Sequence, residues 1–156
     1  SEMTVLSACG SSGFATKKFA HSLCCIECPA KFVPPSEAVH GGLGYLQAGD
    51  VILLASRGGK TDELLPIADV CRRKGVTVIG VTENLSSPLA EKSDIVIAMK
   101  VTRECDKYNC QGTTSFAVTC AIFDALQSAV LDYTGFQNES FAVIHPGGAV
   151  GKRLNK

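Results

Sequence analysis

No excess charge of either sign is present: 15 lysines and arginines meet 15 aspartates and glutamates, for a formal net charge of zero. A nucleic-acid-binding domain carries a basic balance or stripe, so that class is set aside. No apolar run approaches the roughly 18 residues needed to cross a bilayer. The start lacks the basic stretch and apolar segment of a secretory signal, and a cytoplasmic location is expected. Internal repeats and low-complexity segments are missing. So is the second cysteine or histidine pair that would complete a zinc site with Cys25-Ile26-Glu27-Cys28, because Cys105 and Cys110 have the wrong spacing. No metal is expected.

What the chain does have is cysteine, eight residues of it. The C-x-x-C pair ends a helical stretch instead of opening one, where the macrodipole would lower a thiol pKa. The cysteines are therefore expected to be reduced and mostly buried small hydrophobes. Hydrophobic residues make up 46% of 156 positions, enough for one domain over residues 1–156 with a full core.

Five short runs read as strands: Thr4–Ser7, Ala30–Val33, Val51–Ala55, Val76–Val81 and Ile95–Ala98. The third and fourth are nearly all apolar, as in strands covered on both faces of a parallel sheet. Helical stretches fall between them at Phe14–Cys25, at Asp62–Lys74 with Gly75 as the stop, and from Ser87-Pro88 to Lys92. The alternation predicts a doubly wound α/β domain: a five-stranded parallel sheet in the flavodoxin-like order 2-1-3-4-5, flanked by helices. Thr113–Tyr133 reads as one long helix closed by Gly135. Its apolar residues exceed one stripe, so two faces should be buried, one on the sheet and one on a second subunit. The stretch from Phe141 to Gly148 reads as a tail.

Two small-residue loops carry most of the functional argument. Ala8-Cys9-Gly10-Ser11-Ser12-Gly13 follows strand one, and Ser56-Arg57-Gly58-Gly59-Lys60-Thr61 follows strand three. In the expected order these strands flank the switch point, where ligands bind outside the carboxyl ends. Ser12 is placed to cap a helix whose first N–H groups face an anion. Ser56 and Thr61 repeat the arrangement, Gly58 and Gly59 make the turn, and Arg57 and Lys60 add positive charge for a phosphate. Ordinary strand-to-helix capping explains either loop alone, but not as readily the pair.

Three further residues could carry chemistry. His40 adjoins a Gly-rich turn, where a structural role is the commoner one. His145 precedes Pro146-Gly147-Gly148, a rigid segment that lets a tail approach another backbone. Glu104 follows strand five at the same sheet edge as the loops, where a carboxylate is either a base or a solvated acid. His21 has no sequence partner and reads as structural.

Together these residues resemble the sugar isomerase (SIS) domain, specifically its arabinose-5-phosphate isomerase branch. The likeness covers almost the whole chain. It is strongest over Pro35-Ser36-Glu37-Ala38-Val39-His40-Gly41-Gly42-Leu43-Gly44 and over Phe141 through Gly151, which includes His145-Pro146-Gly147-Gly148. Ser56 through Leu64 looks like the family's phosphate loop. The resemblance implies aldose–ketose isomerisation of a phosphosugar through an enediol, with no metal or organic cofactor. It implies a homodimer or homotetramer in which the His145 tail reaches a neighbour's site. By position, Gly10, Ser11, Ser12, Ser56, Arg57, Gly58, Lys60 and Thr61 would hold the substrate. Glu104 and His145 would move protons, and His40 would line the site.

This chain departs from the branch in three places: Ser11 replaces a lysine, Gly58 a serine and Lys60 a glutamate. No counterpart of the family's amino-terminal helical segment or of its following regulatory CBS pair falls within residues 1–156. With these departures, a phosphosugar related to arabinose 5-phosphate is the expected substrate. A non-catalytic phosphosugar-binding module is the alternative. A nucleotide-binding domain ranks below both, since the first loop is not G-x-G-x-x-G.

Overall fold

A computed structural model describes residues 3–154. Its elements are β1 (Thr4–Ala8), α1 (Gly10–Cys24), β2 (Ala30–Phe32), α2 (Pro35–Glu37), β3 (Val51–Ala55), α3 (Leu65–Arg73), β4 (Thr77–Thr82), α4 (Pro88–Lys92), β5 (Ile95–Ala98), α5 (Thr114–Thr134), α6 (Asn138–Ile144) and α7 (Gly148–Leu154). The five strands form one parallel sheet in the order β2-β1-β3-β4-β5, as the sequence predicts. β1 and β3 pair in register from Thr4 opposite Val51 to Ala8 opposite Ala55. The two strands thus end level, about 4.8 Å apart, and the loops that follow them start side by side.

Alternation along the strands sends successive side chains to opposite faces. Leu6, Leu53, Ala55 and Val81 belong to a buried cluster with Phe19 and Leu23 of α1 and Phe123 of α5. Val5, Ile52, Leu54 and Val78 pack with Leu64, Ile67 and Cys71 around α3 and with Leu89 of α4. One face is therefore roofed by α1 and α5, the other by α3 and α4. The Phe19 and Phe123 rings stack at 4.7 Å and 8°, joining the two roofing helices.

Several expectations are corrected. α1 begins at Gly10, not Phe14, so Gly10, Ser11 and Ser12 form its first turn. α3 begins only at Leu65, with Pro66 in its first turn, where a missing N–H costs nothing. The segment expected as a tail folds into α6 and α7, which pack on each other. Within one chain α5 buries only Thr119 and Phe123 fully and leaves Phe116 and Tyr133 exposed, so its own chain covers one face. By length and composition α5 is also apolar enough to cross a membrane, with a mean hydropathy of 1.4, contrary to the reading of the sequence. In this fold it lies along α1. The cysteines are free but not mostly buried. Cys71 is buried, Cys24, Cys105 and Cys110 are exposed, and the others lie between.

Candidate functional site

The amino end of α1 sits at the carboxyl edge of β1. Its cap residue is Cys9, and no side chain caps it. Ser12 does not supply the expected cap. It stands one turn too far in, and its carbonyl accepts from the Thr16 hydroxyl at 2.7 Å. The first-turn N–H groups at Gly10, Ser11 and Ser12 are consequently left to an external acceptor, at the positive end of a 15-residue helix.

Beside it, the loop after β3 is tightly turned. The Ser56 hydroxyl accepts from the Gly59 N–H at 3.1 Å and lies 2.8 Å from the Thr61 hydroxyl. Gly59 has φ +65, and a Cβ there would run into Ser87, so only glycine closes this turn. Lys60 and Gly58 are exposed on the same loop. The pair of hydroxyls, the exposed ammonium and the α1 terminus give this edge the donors and positive charge that suit an anion.

Arg57, on the same loop, is held by internal bonds. Its Nε donates to Glu83 at 2.7 Å, its Nη1 to Glu104 at 2.7 Å and its Nη2 to the Val101 carbonyl at 3.0 Å. Three of its five N–H groups are thus engaged by the protein, one on each nitrogen.

Glu104 is not a solvated acid. It is 3% exposed. One oxygen accepts from Arg57. The other accepts from the Thr113 N–H at 2.9 Å, the Thr113 hydroxyl at 3.1 Å and the Ser115 N–H at 3.0 Å. The Ser115 side chain first, then the backbone groups of Ser115 and Thr113, hold its carboxyl down at about 2 against the pull of burial. A carboxylate this acidic is a weak proton acceptor near neutrality. Glu83, held low by the Arg57 side chain, was not singled out by the sequence reading. Its place directly after β4, at the same edge, is the signal that could have found it.

An open cleft of about 620 Å³ adjoins the loops, lined by Ala8, Cys9, Gly10, Phe32, Pro35 and Val39 with Asp62 and Glu63 at its rim. It runs from the amino end of α1 toward the turn Ala38–Gly42, on which His40 is exposed. His40 has non-helical φ and ψ of −109 and 34, which breaks that turn beside the cleft.

His145 lies elsewhere. α5 starts next to Glu104 and runs 21 residues, about 30 Å, to the opposite edge of the sheet. There Gly135, Gln137 and Ser140 line a second cleft with Ile26 and Pro29. His145 ends α6, stacks on Phe141 at 3.8 Å, and places Nδ1 2.9 Å from the Phe141 carbonyl. A carbonyl only accepts, so Nδ1 is the donor in this contact and Nε2 is left to other partners. The structure brings Ser56, Thr61, Lys60 and the Gly10–Ser12 turn to one edge, with Glu104 tied to Arg57 of the same loop, and His145 lines none of the clefts described there. Among the described residues, no group of three or more His, Cys, Asp or Glu side chains converges as a metal site.

Comparison with known proteins fits this geometry. The chain is 40% identical over 145 residues to the arabinose 5-phosphate isomerase KdsD of Pseudomonas aeruginosa, covering 93% of this chain and 44% of that protein. It is 39% identical over 150 residues to the arabinose 5-phosphate isomerase GutQ of Salmonella typhimurium, covering 96% and 47%. The chain thus spans less than half the length of these curated relatives. Among solved structures, a candidate sugar-phosphate isomerase of Listeria monocytogenes superposes with a TM-score of 0.91 at 46% identity, over 94% of this chain and 77% of that one. The c3406 protein of E. coli CFT073, solved in complex with arabinose 5-phosphate, gives a TM-score of 0.88 at 29% identity, with the same two coverages of 94% and 77%. The SIS domain model matches residues 2–129, and the chain belongs to the SIS domain family.

Proposed function

We propose that this chain is a phosphosugar aldose–ketose isomerase of the arabinose-5-phosphate isomerase type. The observation that carries the reading is the side-by-side placement of two anion-ready loops at the β1/β3 switch point: the uncapped first turn of α1 and the Ser56–Thr61 hydroxyl pair. The names of its relatives support the substrate class.

The phosphate rests on the first-turn N–H groups of α1, on Ser56 and Thr61, and on the charge of Lys60. The sugar end extends along the cleft toward His40. Fixing the substrate this way contributes several kcal/mol to catalysis. Nε2 of His145 is suited to carry a proton between C2 and C1. Because α5 carries the chain about 30 Å from the loops before α6 and His145 follow, His145 is assigned to the site of a neighbouring copy in a homodimer or homotetramer. His40 and His145 take the acid/base work, since Glu104 holds its lone pairs in internal bonds.

The test is incubation with arabinose 5-phosphate, ribulose 5-phosphate and hexose phosphates in heavy water, with mass spectrometry for deuterium at C1 or C2. Exchange into one sugar is the expected result. The occupied Glu104 and the lysine at position 60 favour a second reading, a module that binds a phosphosugar without turning it over. Saturable binding without exchange would establish that reading in place of the first.

A further inference from the structure

The 104–115 segment touches both anion-ready loops. Through Glu104 it holds Arg57 of the β3 loop at 2.7 Å. Through Gly112 it lies against the first turn of α1, where a Cβ on Gly112 would come within 2.6 Å of the Ser11 hydroxyl oxygen and 2.9 Å of Ser11 Cβ. The segment is itself tied down. The Glu104 N–H donates to Asn109 Oδ1 at 2.6 Å. The Asp106 carboxylate accepts from the N–H groups of Tyr108, Cys110 and Gln111. Arg57 extends the connection to the end of β4, because Glu83 accepts from Arg57 with one oxygen and from the Val101 N–H, at 3.0 Å, with the other.

We infer that Arg57 is a positioning residue. Its guanidinium, bridging Glu83 and Glu104, locks the β3 loop to the 104–115 segment so that both halves of the anion cradle keep one relative placement. Glu104 is the second half of this lock and not the proton carrier. A planar fork suits the task, since three acceptors from two different loops converge on it in fixed directions. A lysine at position 57 would supply the charge but could not span the same acceptors. Without Arg57, the Glu104 carboxylate loses its counter-charge and its hold on the Thr113 and Ser115 N–H groups, and the first turn of α5 loosens together with Gly112 against Ser11. The inference rests on the phosphosugar reading for its effect on substrate, but the mechanical coupling can be measured without any sugar.

The experiment compares wild type with Arg57→Gln, Arg57→Lys and Glu104→Gln. Residue-resolved amide exchange comes first. Arg57→Gln is expected to speed exchange at Thr113 and Ser115, on a different loop from the substitution, by about tenfold, the scale of one charged hydrogen bond. Arg57→Lys should recover part of the protection. Rates at Thr113 and Ser115 within about twofold of wild type in Arg57→Gln would overturn the coupling.

Steady-state kinetics with arabinose 5-phosphate come second. Glu104→Gln should raise KM more than it lowers kcat and leave the pH profile in place. A kcat loss of about 10²–10⁴ at unchanged KM would make Glu104 the proton carrier and overturn the inference. Absence of turnover in wild type would sink the isomerase reading alone, because the amide rates still decide the lock.

Discussion

The Ser56 and Thr61 hydroxyls stand 2.8 Å apart across the turn that follows β3, and the Gly59 N–H donates to the Ser56 oxygen. One hydroxyl already accepts and the two share a proton, so one O–H of the pair is left to donate elsewhere. Such a pair is a prepared donor for an anion and contributes little to the core. Ser56→Ala is therefore expected to leave the fold intact while weakening arabinose 5-phosphate binding by about ten- to hundredfold, the worth of one hydrogen bond to a charged group. Isothermal titration calorimetry beside a thermal melt checks this. Unchanged affinity would remove Ser56 from the site.

His145 calls for a different measurement, because α5 takes the chain to the other edge of the sheet before α6 and His145 follow. His145→Ala should lower turnover by about 10²–10⁴ while phosphosugar affinity holds nearly constant. Mixing His145→Ala with Ser56→Ala subunits should restore part of the activity if the histidine serves a neighbour. Absence of recovery in an assembly shown to exchange subunits would place His145 outside the neighbour's site.

Much of this was legible in the sequence. The nearly all-apolar runs at Val51–Ala55 and around Val76–Val81 mark a parallel sheet, and the two small-residue loops mark its switch point. Side-chain direction was not legible. Arg57 sits in a loop beside Lys60, and sequence alone treats the two as equal cations. Only the level ends of β3, β4 and β5 show that Arg57 turns back onto Glu83 and Glu104. Ser12 was likewise assigned as a cap because serine favours that position, but the helix gains a turn and starts after Cys9. The helical tail was missed because α6 and α7 are seven residues each, interrupted by Pro146 and Gly147, too short to show a period.

The Glu104 carboxyl gives a pH dependence with a definite sign. Its folded value of about 2 lies below the ordinary 4.5. A carboxyl depressed on folding adds stability that is fully present above its ordinary value and is lost as pH falls toward the folded one. Wild type should therefore be more stable than Glu104→Gln near neutrality. The gap in Tm should close between about pH 4.5 and about pH 2. Thermal melts of both proteins across that range check it. Glu83 and Asp106, which are also held low, titrate in both proteins and largely cancel in the comparison. A gap that stays constant through the acid range would show that the Glu104 interactions do not depend on its charge.

Phe123 provides the control that separates fold from site. It is fully buried and stacks on Phe19 at 4.7 Å, so it fastens α5 to α1 over the sheet. Phe123→Ala removes a ring where the surrounding strands cannot collapse, and it should cost about 3–5 kcal/mol of stability. Urea unfolding measures this as a fall in midpoint at constant slope. Because α5 begins at the Thr113 and Ser115 groups that Glu104 holds, loosening its middle also tests how locally that first turn is secured. If the hydrogen bonds to Glu104 hold it, exchange at Ser115 should rise far less than exchange around position 123. Equal acceleration at both places would mean that α5 opens as one unit and that its packing on Phe19, not Glu104, keeps the first turn in place.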